Sequence, residues 1–345
     1  MKKIVLAAIV VFLIASVNVT KAQNQERIGV HDPVMIQEND TWYLFCTGMG
    51  ISAFSSPDLI NWTQLDPVFA EAPAWVAEEI PTFRGNHIWA PDIYYHDGLY
   101  YLNYSCSAFG RNTSCIGVAT NKTLDPNDPD FEWVDHGKLI KSDPGVTDWN
   151  AIDGNFLIDA EGTPWLTFGS FWSGMQQIKL KPNLLELDGD RSDCKLIASR
   201  RTKEEMEKNS EEGPSANAGS SSIEAPFLWQ EGDFYYLFVS WDRCCAGAQS
   251  TYKVAIGRSE NPDGPFVDMD GKPMLYGGGT VILEGDETDW YAQGHNGVAR
   301  DEGTGQVYLV THAYDRHSER AASKLRIIEL NWNDEGWPEV GEEVR

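Results

Sequence analysis

The sequence is short of positive charge: 27 Lys and Arg stand against 52 Asp and Glu, for a formal net charge of -25. Nucleic acid and anionic membrane surfaces both need clustered cations, so neither is expected as a partner, and a strongly acidic polymer is disfavoured as a direct ligand. Long apolar runs are also missing. The one extended stretch, Ile4 to Ser16, is too short to cross a bilayer. Behind Met1-Lys2-Lys3 and ahead of the small residue Ala22, it has the form of a secretory signal peptide over residues 1–22. No cysteine lies near Ala22, which argues against a lipid anchor. The signal carries Lys2, Lys3 and Lys21 but no acid, so its removal leaves a still more acidic chain. No second apolar segment follows, and residues 23–345 are expected to form a soluble protein, secreted or periplasmic, acting as a monomer. No Pro/Ser/Gly linker divides them, so one domain is expected. The cysteines follow no zinc spacing. Cys106 and Cys115 flank a turn and can bridge adjacent strands in an oxidising compartment, and Cys244-Cys245 can form a vicinal disulfide. Buried free thiols are the alternative for each.

What is plentiful is aromatic surface, with 13 Trp, 13 Tyr and 14 Phe. Most lie in strand-like runs and belong to a core, but flat apolar faces also suit sugar rings, and a neutral ligand fits the charge. The runs themselves repeat. Ala151-Ile152-Asp153-Gly154-Asn155-Phe156-Leu157-Ile158, an acidic Gly turn, then Trp165-Leu166-Thr167-Phe168 describes a strand, a turn and a second strand. The same pattern starts at His31-Asp32-Pro33, Ala90-Pro91-Asp92, Ile223-Glu224-Ala225 and Gly294-His295-Asn296. Its leading polar residues sit at 32, 92, 153, 224 and 295, in steps of 60, 61, 71 and 71. With several short strands per step and no helical periodicity between them, this predicts an all-β fold, a five-bladed β-propeller. The first strand of each blade lines the axis, so four acids and a histidine from distant parts of the chain converge at one end of the channel.

These motifs, together with Trp89-Ala90-Pro91-Asp92 and Gly169-Ser170-Phe171-Trp172, resemble the signature of glycoside hydrolase family 43, and most closely its arabinanase branch. The resemblance spans essentially the whole mature chain, in all five blades and in order. It implies an endo-acting, inverting hydrolase of α-1,5-linked arabinofuranosides, with arabinan or arabino-oligosaccharides as partner. Asp32 then matches the general base, Glu224 the general acid, and Asp153 the carboxylate that orients the acid and raises its pKa. His295 matches the residue that helps hold a hydrated metal ion, often calcium, beneath the site. Asn150, Ala151, Ile152, Ser170, Phe171 and Trp172 fall where the family places substrate contacts. Gly154 departs from the proline expected after Asp153.

The residue chemistry leads to the same place. Glycosidic cleavage needs one protonated carboxyl for the leaving oxygen and one ionised carboxylate to activate water, separated by roughly 6.5–9.5 Å for inversion and about 5–5.5 Å for retention. Asp32 and Glu224, on well-separated blades, suit the wider gap, and Asp153 beside Glu224 keeps it protonated. Asp92 has the same repeat position with a structural or a substrate role open. Trp89 offers a ring to a sugar or packs in the core; Gly117 brings backbone close to substrate or is a plain strand glycine. No acidic loop of EF-hand type occurs, so any ion would be held mostly by water. Exo-acting arabinanase, α-L-arabinofuranosidase and β-xylosidase are the alternatives on this scaffold. A non-catalytic carbohydrate-binding propeller and a retaining fructan-type enzyme complete the rivals.

Overall fold

The structure, a computed structural model, describes residues 27–212, 219 and 221–345. The expected signal peptide lies outside the described residues. Blade one is built from Val34–Glu38, Thr41–Cys46, Ser52–Ser56 and Thr63–Gln64 in antiparallel order. Blade two runs His87–His96, Leu99–Cys106, Ser114–Asn121 and Val134–Ser142, with Gly48–Met49 added at its inner edge. Blades three, four and five start at Asn155–Ile158, Ile223–Glu231 and Trp290–Arg300, each again four strands. The five-bladed propeller expected from the repeat is the fold observed.

The second strand of each blade shows why the ring holds together. Alternate residues of a strand point to opposite faces, and here both faces are buried. Tyr43 and Phe45 join the apolar cluster towards blade two, whereas Trp42, Leu44 and Cys46 join the cluster towards blade five. In blade four, Tyr235, Leu237, Val239 and Trp241 pack towards blade three, and Tyr236 and Phe238 towards blade five. These strands therefore read as unbroken apolar runs, and the core is a set of layers between blades rather than one central mass.

At the head of each inner strand the backbone makes the same left-handed step, at Asp32 (φ 53°), Ala90 (39°), Asp153 (57°), Ala225 (51°) and His295 (51°). A side chain in this region costs roughly 1–2 kcal/mol, so five recurrences mark a feature of the architecture. In blades two, four and five the step sits in a register shift, between Trp89 and Asp92, Glu224 and Phe227, and Gly294 and Gly297. The structural repeat is thus offset from the one drawn through polar residues. Asp32, Asp153 and His295 are equivalent; Glu224 lies one residue before the step and Asp92 two after it. Asp92 consequently points down the channel, buried, accepting hydrogen bonds from Phe156 N–H (3.1 Å) and Asn155 Nδ2 (3.3 Å) across to blade three. Its role is to tie two inner strands.

Residues 27–30 run beside the C-terminal strands: Ile28 O accepts from Leu325 N–H at 3.0 Å, and Arg27 pairs with Glu343 at 2.7 Å. They add no strand, because all four strands of blade five come from the C-terminal end. A helix, Lys203–Glu212, lies between blades three and four, started by a reciprocal cap between Thr202 and Glu205. Cys106 and Cys115 face each other across adjacent strands as free, buried thiols, so the bridge considered for them is not formed. Cys244 and Cys245 are bonded to each other.

Candidate active site

The left-handed steps turn Asp32, Asp153 and His295 onto the axis, and the residue before the step in blade four adds Glu224. Asp32, Asp153 and Glu224 are all buried. Their surroundings differ sharply. Asp32 Oδ1 lies 2.8 Å from His31 Nδ1 and 3.0 Å from His295 Nδ1, and Asp32 Oδ2 accepts from the Thr47 hydroxyl at 2.5 Å. Thr47 is fixed in turn by accepting from Ala90 N–H at 2.8 Å. The Asp32 N–H donates to His312 Nδ1 at 3.1 Å. Burial opposes ionisation of Asp32, but the charges and hydrogen bonds of His295 and His31 outweigh it and hold the carboxyl well below its usual range. Burial likewise opposes the His295 cation, yet Asp32 beside it raises the imidazole to about 9.

Asp153 and Glu224 have few donors. Asp153 Oδ2 accepts from Ala225 N–H at 3.1 Å, and its own N–H donates to Ser105 Oγ at 3.0 Å. Burial, with the negative charges of Glu224 and Asp32, pushes Asp153 up to about 7 despite His295. Glu224 Oε2 accepts from the Ser170 hydroxyl at 2.8 Å. Burial is again the main cause that raises Glu224, with Asp32 adding repulsion. The site thus holds one carboxyl ionised and two inclined to keep a proton, each within electrostatic reach of the others.

Of the expected substrate contacts, Trp89 is half-buried next to Ala90, its Nε1 donating to His87 Nδ1 at 2.9 Å. Ser170 holds Glu224. Phe171 continues from it, N–H to Ile223 O at 2.8 Å, and Trp172 is buried beyond. Asn150, Ala151 and Ile152 are buried in the approach to Asp153; Asn150 Oδ1 accepts from Ser114 at 2.6 Å and Ala151 N–H donates to Ser142 Oγ at 3.0 Å. Gly117 lies buried in the third strand of blade two, where a Cβ would come 2.6 Å from the Tyr104 ring and 2.8 Å from Trp75, so packing by itself accounts for a glycine there. Gly154, in place of the expected proline, clears space for Asn103 Oδ1, which a Cβ would meet at 2.5 Å.

Sequence reasoning missed His31, Thr47, His312 and Tyr314. His31 adjoins Asp32 and could have been read from that adjacency. His312 and Tyr314 come from the second strand of blade five, brought to the axis by the register His312–Gly294, and Thr47 follows the second strand of blade one, its N–H donating to His31 O at 2.9 Å. The ligating atoms of His31, Asp32 and His312 lie within 4.8 Å of one another, but each is engaged in the hydrogen bonds above. Below His295 is a void of about 20 Å³, room for a water or two, whose walls include Asp92, Asp153 and Asn296. Asp92 and Phe227 also line the funnel of about 830 Å³ that opens at the other end. Calcium takes six to eight oxygens. A void of this size has no room for a shell made mostly of water, so an ion beside His295 would need the wall oxygens of Asp92, Asp153 or Asn296 as well.

One buried carboxyl held ionised near another inclined to keep its proton, both on the axis of a propeller, is the arrangement that acid-assisted hydrolysis of a glycosidic bond needs. The comparisons give that class its family: residues 27–338 match the model of Glycosyl hydrolases family 43, and the chain belongs to that family. It is 44% identical to the extracellular exo-alpha-(1->5)-L-arabinofuranosidase of Cellvibrio japonicus, over 92% of this chain and 88% of the relative. It is 38% identical to the extracellular endo-alpha-(1->5)-L-arabinanase 1 of Bacillus subtilis, over 90% and 87%. The solved structure of Cellvibrio cellulosa alpha-L-arabinanase complexed with arabinohexaose superposes with a TM-score of 0.84 at 44% identity, covering 91% of this chain and 96% of that one.

Proposed function

We propose that the protein is a secreted enzyme that hydrolyses α-1,5-linked arabinofuranosyl bonds within arabinan, with inversion. The observation that carries the reading is the contrast between two buried carboxyls on blades one and four: two imidazoles and a hydroxyl meet Asp32, favouring its charge, whereas burial and the charge of Asp32 favour the proton on Glu224. Glu224 gives its proton to the leaving oxygen while Ser170 holds its other oxygen in place. Asp32, ionised at the start of the step, orients a water on the far face of the sugar and takes its proton; three donors occupy its oxygens and leave a lone pair free for that water. Asp153 and Glu224 resist ionising together, which favours the proton on Glu224 once Asp153 is charged, and Asp153 directs Glu224 through the Ala225 N–H. Trp89 offers a ring face to an arabinose unit. A divalent ion near His295, calcium by its preference for water and oxygen, would add fixed positive charge beneath the site.

Exo action is the second reading, favoured by the name of the 44% identical Cellvibrio japonicus relative. Digestion of linear 1,5-arabinan followed by product sizing decides. A ladder of oligomers with early loss of viscosity supports cleavage within the chain, and release of one short product from the start supports exo action. An NMR time course showing the product anomer retained, or no hydrolysis at all, overturns the proposal.

A further inference from the structure

The turn after the second strand of blade four (Phe234–Trp241) contains the bond between Cys244 and Cys245. Cys245 has a left-handed φ of 63°, and its sulfur lies 3.8 Å from His31 Nε2. The Cys245 N–H donates to Tyr314 Oη at 2.7 Å. Cys244 packs against the cluster of Tyr252, Ala292 and Tyr314. From Tyr314 Oη it is 3.1 Å to His31 Nε2 and 3.3 Å to His312 Nε2. Both imidazoles end on Asp32, His31 Nδ1 at the carboxylate and His312 Nδ1 at the backbone N–H.

With His31 neutral, the protons of this network close in one way. His312 Nδ1 accepts, so its proton is on Nε2 and is donated to Tyr314 Oη. Neutral His31 carries its proton on Nδ1 for Asp32, so its Nε2 accepts the Tyr314 O–H. The tyrosine oxygen then receives two N–H groups and gives one O–H, with Cys245 supplying a backbone donor from outside the histidine cluster.

We propose that the Cys244–Cys245 disulfide is a positioning device for Asp32. It fixes the direction of the Cys245 N–H, thereby the Tyr314 hydroxyl, and through it the two imidazoles that hold the Asp32 carboxylate and its left-handed backbone. The inference rests on Asp32 being the general base. It makes turnover depend on the oxidation state of this pair. A dithiol such as dithiothreitol breaks the S–S bond, and two electrons and two protons leave two thiols while the reagent becomes a cyclic disulfide. The other four cysteines are free, so the reagent has a single bond to break.

The experiment measures kcat and KM on linear 1,5-arabinan before and after dithiothreitol, with thiols counted to establish reduction. Misplacing a reacting group by a fraction of an ångström lowers the rate without removing binding. The expected result is a fall in kcat of about ten-fold, KM held within about two-fold, and recovery on reoxidation. Cys244→Ala/Cys245→Ala is expected to show the same fall with no further response to reductant. Tyr314→Phe, which removes the relay, is expected to lower kcat and abolish the response. Unchanged kcat with the pair fully reduced, or an equal response in Tyr314→Phe, overturns the proposal. An oxidised protein with no activity on arabinan refutes instead the function on which it rests.

Discussion

Two carboxyl sites in one pocket behave in opposite ways, although both are buried. Around Asp32, on the blade one and five side, His31, His295 and Thr47 all point hydrogens at the carboxylate. On the blade three and four side, Asp153 and Glu224 each have one conventional donor and repel each other. Desolvation pushes all three upwards; the count and charge of the donors decide which stays ionised. Burial alone therefore assigns no role, and the neighbours assign it.

The hardest test removes one member of each side. Asp32→Asn and Glu224→Gln are each expected to lower kcat by about 10²–10⁴-fold, the usual contribution of a positioned acid or base, with circular dichroism unchanged; activity near wild type in either variant breaks the comparison. Asp153→Asn should sharpen it. Without the adjacent negative charge Glu224 loses its proton more readily, so the alkaline limb of the kcat/KM profile should move to lower pH, with a drop in kcat of about ten-fold or more. A limb that stays in place would detach Asp153 from Glu224.

A smaller effect is expected from Asp92, a buried carboxyl with its pKa pushed up to about 7 chiefly by burial, but below the site. Its folded value is above the unfolded one, so its protonated form stabilises the fold most at low pH. That contribution is lost as pH rises from near 4 through about 7. Asp92→Asn should therefore gain in thermal stability relative to wild type across that window, with little change in kcat. Asp32 has the opposite sign, its stabilisation being present above the unfolded pKa and lost only in strong acid. Last, Gly117→Ala should destabilise by about 1–3 kcal/mol through overpacking against Tyr104 and Trp75, while KM stays unchanged. A raised KM would return Gly117 to the substrate.

The repeat was legible because strands that are buried on both faces leave apolar runs at regular spacing, and Asp32, Asp153, Glu224 and His295 were legible because they stand at the heads of those runs. The offset of Asp92 and Glu224 was not, since a one-residue register shift leaves no trace in spacing alone. His312 and Tyr314 were hidden for another reason. They share a face of a second strand by simple alternation, as core residues do, and their partner Asp32 lies some 280 residues away. Trp89 and Gly117 both sat in aromatic or glycine contexts that packing explains as readily as binding does.

The recurring left-handed step has a consequence for how this pocket can change. Because the backbone supplies the same perch in every blade, the groups standing on it are exchangeable without altering the scaffold. Two perches, Ala90 and Ala225, carry only a methyl group. They are the places where a new acid, amide or imidazole would be delivered to the axis ready-aimed, by a single codon change.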